Sequence, residues 1–266
     1  MTEPATSVHK KPATQQSFEF GPWTITTCKS HILESEGNNR EKFQSELELP
    51  QLPEMVFPEN YLRIHHKSGC GLEFNALDAL RLVDAHSDPI KVAASKEWQG
   101  ARSECEHIKN VVSPFDWTFT TAYRGTVFKD TLDALKVCPT SERIDIEKLK
   151  QREPIQFYDD VLLFEDELSD NGTSVLNVKV RVMPTSFFVL MRLFVRVDQV
   201  LIRVNDTRLY HEAGTDFMIR EYSSKEEITS NIPVALHTCP NEVSTHLKVT
   251  QEIFEKLLFT EDSLKS

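Results

Sequence analysis

Glycine is scarce in this 266-residue chain, with only 8 in all, and that scarcity removes several chemistries at once. A phosphate-cradling loop needs backbone that can approach an anion without Cβ atoms in the way, and G-x-x-x-x-G-K-[ST] does not occur. The nearest approach to a dinucleotide fingerprint, GCGLEF at 69–74, has Phe74 where the third glycine belongs. The strained G-x-S-x-G turn that displays a serine nucleophile is absent too. Cysteine is equally thin. Cys28, Cys70, Cys105, Cys138 and Cys239 are odd in number and show no C-x-x-C spacing, which fits neither a disulfide framework nor a zinc module and suits a reducing compartment. They read as buried apolar fillers.

Long apolar runs are also missing. The longest, Phe187 to Val197, is broken by Arg192 and Arg196 and is shorter than the roughly 20 residues that cross a bilayer. The opening MTEPATSVHKKPATQQS has no apolar core segment, so no secretory signal is expected, and the sequons at Asn171 and Asn205 carry little meaning without secretion. Positive charge is in deficit, 30 Lys and Arg against 41 Asp and Glu, a net −11. That balance argues against nucleic acid or an anionic membrane as partner and favours a basic or mixed protein surface. The expected location is the cytoplasm, with the nucleus as a second compartment.

What is present points to an α+β fold: one domain of antiparallel sheets and hairpins with helices packed on them. Residues 1–17 are polar and aperiodic and read as a disordered tail, 18–260 as the single domain, and 261–266 as a flexible C-terminal tail. Asn171-Gly172 between YDDVLLFEDEL and SVLNVKVRVMP is the favoured pair for a two-residue hairpin turn with both φ positive. Downstream, Val178, Val180 and Val182 alternate with Lys179 and Arg181 as a half-buried strand should. FFVLMRLFVRVDQVLIRV reads as a second hairpin turning at Asp198-Gln199, with a helix over Phe187–Val197 as its competitor. Helices are expected from Asn75 as N-cap, with Asp78 in the first turn, from Asp145 into IDIEKLKQRE, and over the C-terminal THLKVTQEIFEKLLF.

The most reactive-looking stretch is LIRVNDTRLYHEA, Leu201 to Ala213. As an enzyme it would use Asp206, His211 and Glu212, yet it offers no nucleophile–base–orienter series, so no catalytic residue is assigned. Metal binding is no better supported. HEAGT lacks the second histidine of H-E-x-x-H, His65 and His66 would point to opposite faces of a strand, and FEDELSDNG puts Val178 where a calcium loop needs its bidentate glutamate. No metal or cofactor is expected. If a strand runs through the cluster, Asn205, Thr207 and Leu209 share one side while Asp206, Arg208 and Tyr210 share the other. Asp206 beside Arg208 then reads as an ion pair at an exposed strand end. The tryptophans and tyrosines of FGPW and SPFDWTFTTAYRGT are either interface anchors or core filling.

Several segments resemble, in order, the TIPRL-type regulators of type 2A serine/threonine protein phosphatases, which are linked to TOR signalling. They include LPEMVF, LRIHHKSGCGLEFNALDALR, KEWQGAR, WTFTTAYRGT, VLLFEDELSDNG and the long block VKVRVMPTSFFVLMRLFVRVDQVLIRVNDTRLYHEA. The resemblance covers roughly residues 18–260 and implies a non-enzymatic adaptor. Such an adaptor binds the catalytic subunits of type 2A-like phosphatases, holds the subunit's C-terminal tail in a cleft and restrains its activity. It places partner-binding residues at Asp78, Ile144, Val204 and Asp206, to which the cluster adds Arg208. Val204 stands where relatives often carry Met, and Asp198-Gln199 replaces a family Asp-Gly turn. On this reading an exposed Asp206 captures backbone N–H groups or basic side chains of an incoming peptide.

Overall fold

A computed structural model describes residues 12–84, 116–129 and 135–259. KEWQGAR, Cys105 and both chain ends therefore lie outside the described residues. Among the described residues the architecture is two antiparallel sheets and four short α-helices. The first sheet orders β1 (Thr14–Phe20), β2 (Trp23–Lys29), β4 (Tyr61–His66), β5 (Cys70–Asn75) and β6 (Thr126–Lys129) side by side. The second runs β3 (Met55–Val56), β8 (Phe157–Asp166), β9 (Gly172–Val182), β10 (Ser186–Val197), β11 (Leu201–Glu212), β12 (Phe217–Ile228), β13 (Lys248–Leu258) and β7 (Lys136–Pro139). The helices are α1 (Asn38–Leu47), α2 (Ala76–Leu80), α3 (Ile146–Lys150) and α4 (Pro240–Val243).

The expected alternation positions the core. Val178, Val180 and Val182 are buried on β9 and pair with Met191, Val189 and Phe187 of β10, whose Leu193 and Val195 are buried on the same face. On the facing sheet Trp23, Ile25, Leu62, Ile64, Leu72 and Phe74 join the same cluster, so both sheets share one core. Each such side chain contributes about 1.5–3 kcal/mol on leaving water.

Both short N-caps are as expected. Asn75 accepts from the Asp78 amide at 2.8 Å, and Asp145 accepts from the amides of Glu147 and Lys148 at 2.9 and 3.2 Å.

Four expectations are corrected. β1 begins at Thr14, so residues 14–17 of the stretch read as a disordered tail belong to a strand whose seven consecutive pairings with β2 run from Thr14 to Phe20. The C-terminal segment read as a helix is strand β13. The neighbouring β12 offers it an open ladder from Phe217 to Glu226, and its Val249, Ile253 and Phe254 suit a pleated surface. The hairpin between β8 and β9 is not closed by a two-residue Asn-Gly turn. Five residues connect the strands, with Leu168, Ser169 and Asp170 at positive φ, while buried Asp166 accepts from the Leu168 amide at 2.6 Å. Of the cysteines, Cys28 and Cys70 are buried fillers, but Cys138 and Cys239 are only partly covered. The β10–β11 hairpin does turn at Asp198-Gln199, with Gln199 alone at positive φ.

Candidate partner-binding face

Polar residues on the inner face of the large sheet hold an extended strap. Ser174 donates to the Thr118 carbonyl (2.7 Å), Arg203 to the Thr120 hydroxyl (2.8 Å), Asn205 to the Thr121 carbonyl (3.0 Å) and Thr207 to the Tyr123 carbonyl (3.1 Å). Arg220 completes the row at the Arg124 carbonyl (3.1 Å) and pairs with Glu255 at 2.8 Å. A buried backbone carbonyl needs a partner, and here strand side chains supply it. Half of the LIRVNDTRLYHEA cluster is thereby accounted for. The aromatic residues of the strap, Phe119 and Tyr123, are buried, as are Phe20 and Trp23 of FGPW, so these rings fill the core instead of anchoring a partner.

The opposite face of β11 carries Val204, Asp206, Arg208 and Tyr210. Two apolar caps cover its ends. At one, Val204 packs with Phe194, Ile202, Ile232, Val243 and Leu247. At the other, Ile144 packs with Tyr210 and Ile219, its amide donating to Glu221 at 2.8 Å. Between the caps lies Asp206, only 1% exposed. The β10–β11 register sets Arg192 directly opposite, and its guanidinium grips both carboxylate oxygens at 2.6 and 2.7 Å while also donating to Asn241 of α4 at 2.6 Å. Arg208 stands farther off, 3.6 Å from Asp206, with its side chain 32% exposed.

Asp206 is therefore not the exposed carboxylate the sequence implied, and its main partner is Arg192, not Arg208. The reason is layering: the outer face is roofed by residues 229–247, and a carboxylate buried there persists only when paired. Arg192 was missed as a site residue. The signal for it was the hairpin turn, which fixes the register once Asp198-Gln199 is placed. Ile144 and Val204 are buried core residues of the two caps.

Asp78 is elsewhere, on α2 beside the small sheet. It accepts from Asn75 (3.0 Å) and Thr126 (2.6 Å) and pairs with Arg81. The face thus gathers Ile144, Val204, Asp206 and Arg208 but not Asp78.

The enzymatic alternative is not assembled. His211 points inward, away from Asp206 and Glu212. Its Nε2 accepts from the Trp23 indole at 3.1 Å and its Nδ1 meets the Phe217 carbonyl at 2.9 Å. Burial pushes its pKa below the ordinary imidazole value, against the opposing pull of the Phe217 carbonyl. Glu212 pairs with Lys148 at 2.6 Å on the outer surface. The cleft beside His211, 460 Å³ in volume, is walled by Phe20, Trp23, His66 and Phe259. Among the described residues no group of three or more His, Cys, Asp or Glu could hold a metal ion, and no helix is long and apolar enough to cross a membrane.

Fold and face together define a two-sheet antiparallel protein whose polar cluster serves its own packing and one sheltered outer band. The family model that matches residues 55–233 is that of the TIP41-like family, and the chain belongs to it. It is similar to the TIP41-like protein of Homo sapiens, 52% identical over 257 residues that cover 96% of this chain and 93% of that protein. It is also similar to the type 2A phosphatase activator TIP41 of Saccharomyces cerevisiae, 40% identical over 79% of this chain and 62% of that protein. Its counterpart in Schizosaccharomyces pombe, of the same description, is 34% identical over 83% of this chain and 87% of its own length.

Proposed function

We propose that this chain is a non-enzymatic regulator that binds the catalytic subunits of type 2A-family serine/threonine phosphatases, including their C-terminal tail, and inhibits or remodels them. It does so in the cytoplasm, within TOR signalling. Two relatives named for activating type 2A phosphatases support the partner class. The observation that carries the binding face is the band between the two caps. There Arg208 remains partly exposed, its one ion pair among the described residues lying at 3.6 Å, beside an Asp206–Arg192 pair that is already satisfied. A C-terminal tail ends in a carboxylate, and a half-buried guanidinium is the group that binds one best.

Asp206 then acts as a positioning residue. It fixes Arg192 and draws Arg208 over the band, while Ile144 and Val204 hold the walls. Asp78 supports the small sheet at a separate place and is assigned a second contact with the catalytic subunit.

Isothermal titration of the catalytic subunit into wild type and Arg208→Ala tests the reading. A tenfold or greater loss of affinity at unchanged melting temperature is expected. Unchanged affinity removes Arg208 from the interface. A phosphatase assay on the same complex reads whether activity falls or rises.

A further inference from the structure

Among the described residues the two sheets leave four edge strands, and they are not equally protected. β3 is two residues long and β6 four. β7 is four residues that start with Lys136 and end with Pro139. Short strands, edge lysines and proline all discourage another strand from adding on. β1 has none of these. It runs seven residues, TQQSFEF, without lysine or proline inside it, and its ladder to β2 has no bulge. Thr14 to Ser17 and Glu19 are exposed. Among the described residues, no strand pairs with its outer edge. Below that edge Phe18 stacks on Phe157 of β8, with ring centroids 5.7 Å apart, and both rings are partly open.

We propose that β1 pairs, antiparallel, with β1 of a second copy of this chain about a two-fold axis through Ser17, joining the small sheets of two molecules into one. The sequence of the strand is what selects this occupant. A full-length overlap is the pairing that matches all seven residues, and it keeps the core side of one sheet on the core side of the other, as the two-residue side-chain period requires. In that register Ser17 faces its own mate, and Gln15 faces Glu19 of the other copy. The only charge in the strand therefore meets an amide and never itself. Gln16 faces Phe18, and the two Phe18 rings stand diagonally across the axis, within aromatic reach. The two Phe18–Phe157 stacks thereby close over one another. Contact over seven residues per copy is small, so the dimer is weak and reversible. Each copy carries a net −11, so added salt, by screening that repulsion, tightens it.

Sedimentation equilibrium of the full-length chain, from micromolar to submillimolar concentration and at two salt levels, tests this. The expected result is a reversible monomer–dimer equilibrium that strengthens with salt. Two substitutions on exposed β1 positions must then act in opposite directions. Ser17→Lys opposes two lysines at the axis and weakens dimerisation about two- to fivefold, whereas Gln15→Lys sets a lysine against Glu19 twice and tightens it by a similar factor or more. Both lower the net negative charge by one, so nonspecific electrostatics would tighten both. A matching melting temperature for the three proteins shows that the fold is intact. A chain that stays monomeric throughout, or two lysine variants that shift the equilibrium the same way, overturns the proposal. So does a β1 edge whose variants change only the binding of the phosphatase catalytic subunit.

Discussion

The two faces of strand β11 use the same kinds of residue for different ends. Inward, Asn205 and Thr207 donate to carbonyls of the strap at 3.0 and 3.1 Å, deep inside the molecule. Outward, Asp206 and Arg208 lie side by side, one locked by Arg192 and the other left partly free. Adjacent positions along one strand thus differ in what they can offer a partner. The difference comes from what covers each face, not from the side chains themselves. A polar residue in a sequence can mean a buried hydrogen bond or an accessible contact, and alternation alone does not say which.

The largest effect should come from breaking the outward pair. Asp206→Ala leaves the Arg192 guanidinium half-satisfied in a mostly buried site, and a loss of about 3–5 kcal/mol is expected for removing one partner of such a pair, read as a lower urea midpoint. Arg208→Ala on the same face should leave that midpoint nearly unchanged. If both variants destabilise equally, the division between a locking and a presenting residue fails.

The inward face should respond more gently. Thr207→Val strands one strap carbonyl, for about 1–3 kcal/mol, and amide exchange should quicken across residues 118–124. Unaltered exchange there would show that the strap does not depend on these donors.

The junction between the sheets gives a pH test. Burial holds His211 below its ordinary value, and His66 is lowered in the same way. The unfolded chain therefore takes up protons first as pH falls. Stability contributed by these rings is complete above about pH 6.5, the ordinary histidine value, and is lost progressively below it. Protonated His211 would also turn an N–H towards the Trp23 N–H that it now accepts from. Denaturation midpoints should fall between pH 7 and pH 5, less steeply in His211→Leu; an equal slope in that variant would assign the acid sensitivity elsewhere. The smallest effect belongs to the exposed Lys148–Glu212 bridge, where Lys148→Ala should not move the midpoint measurably.

Much of this molecule was legible before any coordinates. The alternation of β9, the turn at Asp198-Gln199 and both helix N-caps follow from periods and side-chain chemistry confined to a few neighbouring residues. The errors arise where distant segments decide. Strand β13 reads as a helix because Leu247, Phe254 and Leu257–Leu258 fit helical spacing, and only the open edge of β12 makes it a strand. Asp206 reads as exposed because nothing local announces the roof formed by residues 229–247 or the guanidinium from β10. The strap is invisible in the same way, since its carbonyls belong to a segment some 80 positions from the donors, Asn205 reaching Thr121 and Thr207 reaching Tyr123 with a separation of 84 residues in each case.

By itself, then, the sequence determined the strand alternation, the caps, the family and the absence of a phosphate loop or nucleophile turn, because each is written in short-range spacing and residue type. The tertiary structure alone decided which polar groups are sealed and which remain available. Burial depends on what folds over a residue from elsewhere in the chain, and a buried carboxylate survives only where that distant covering brings its counter-charge along.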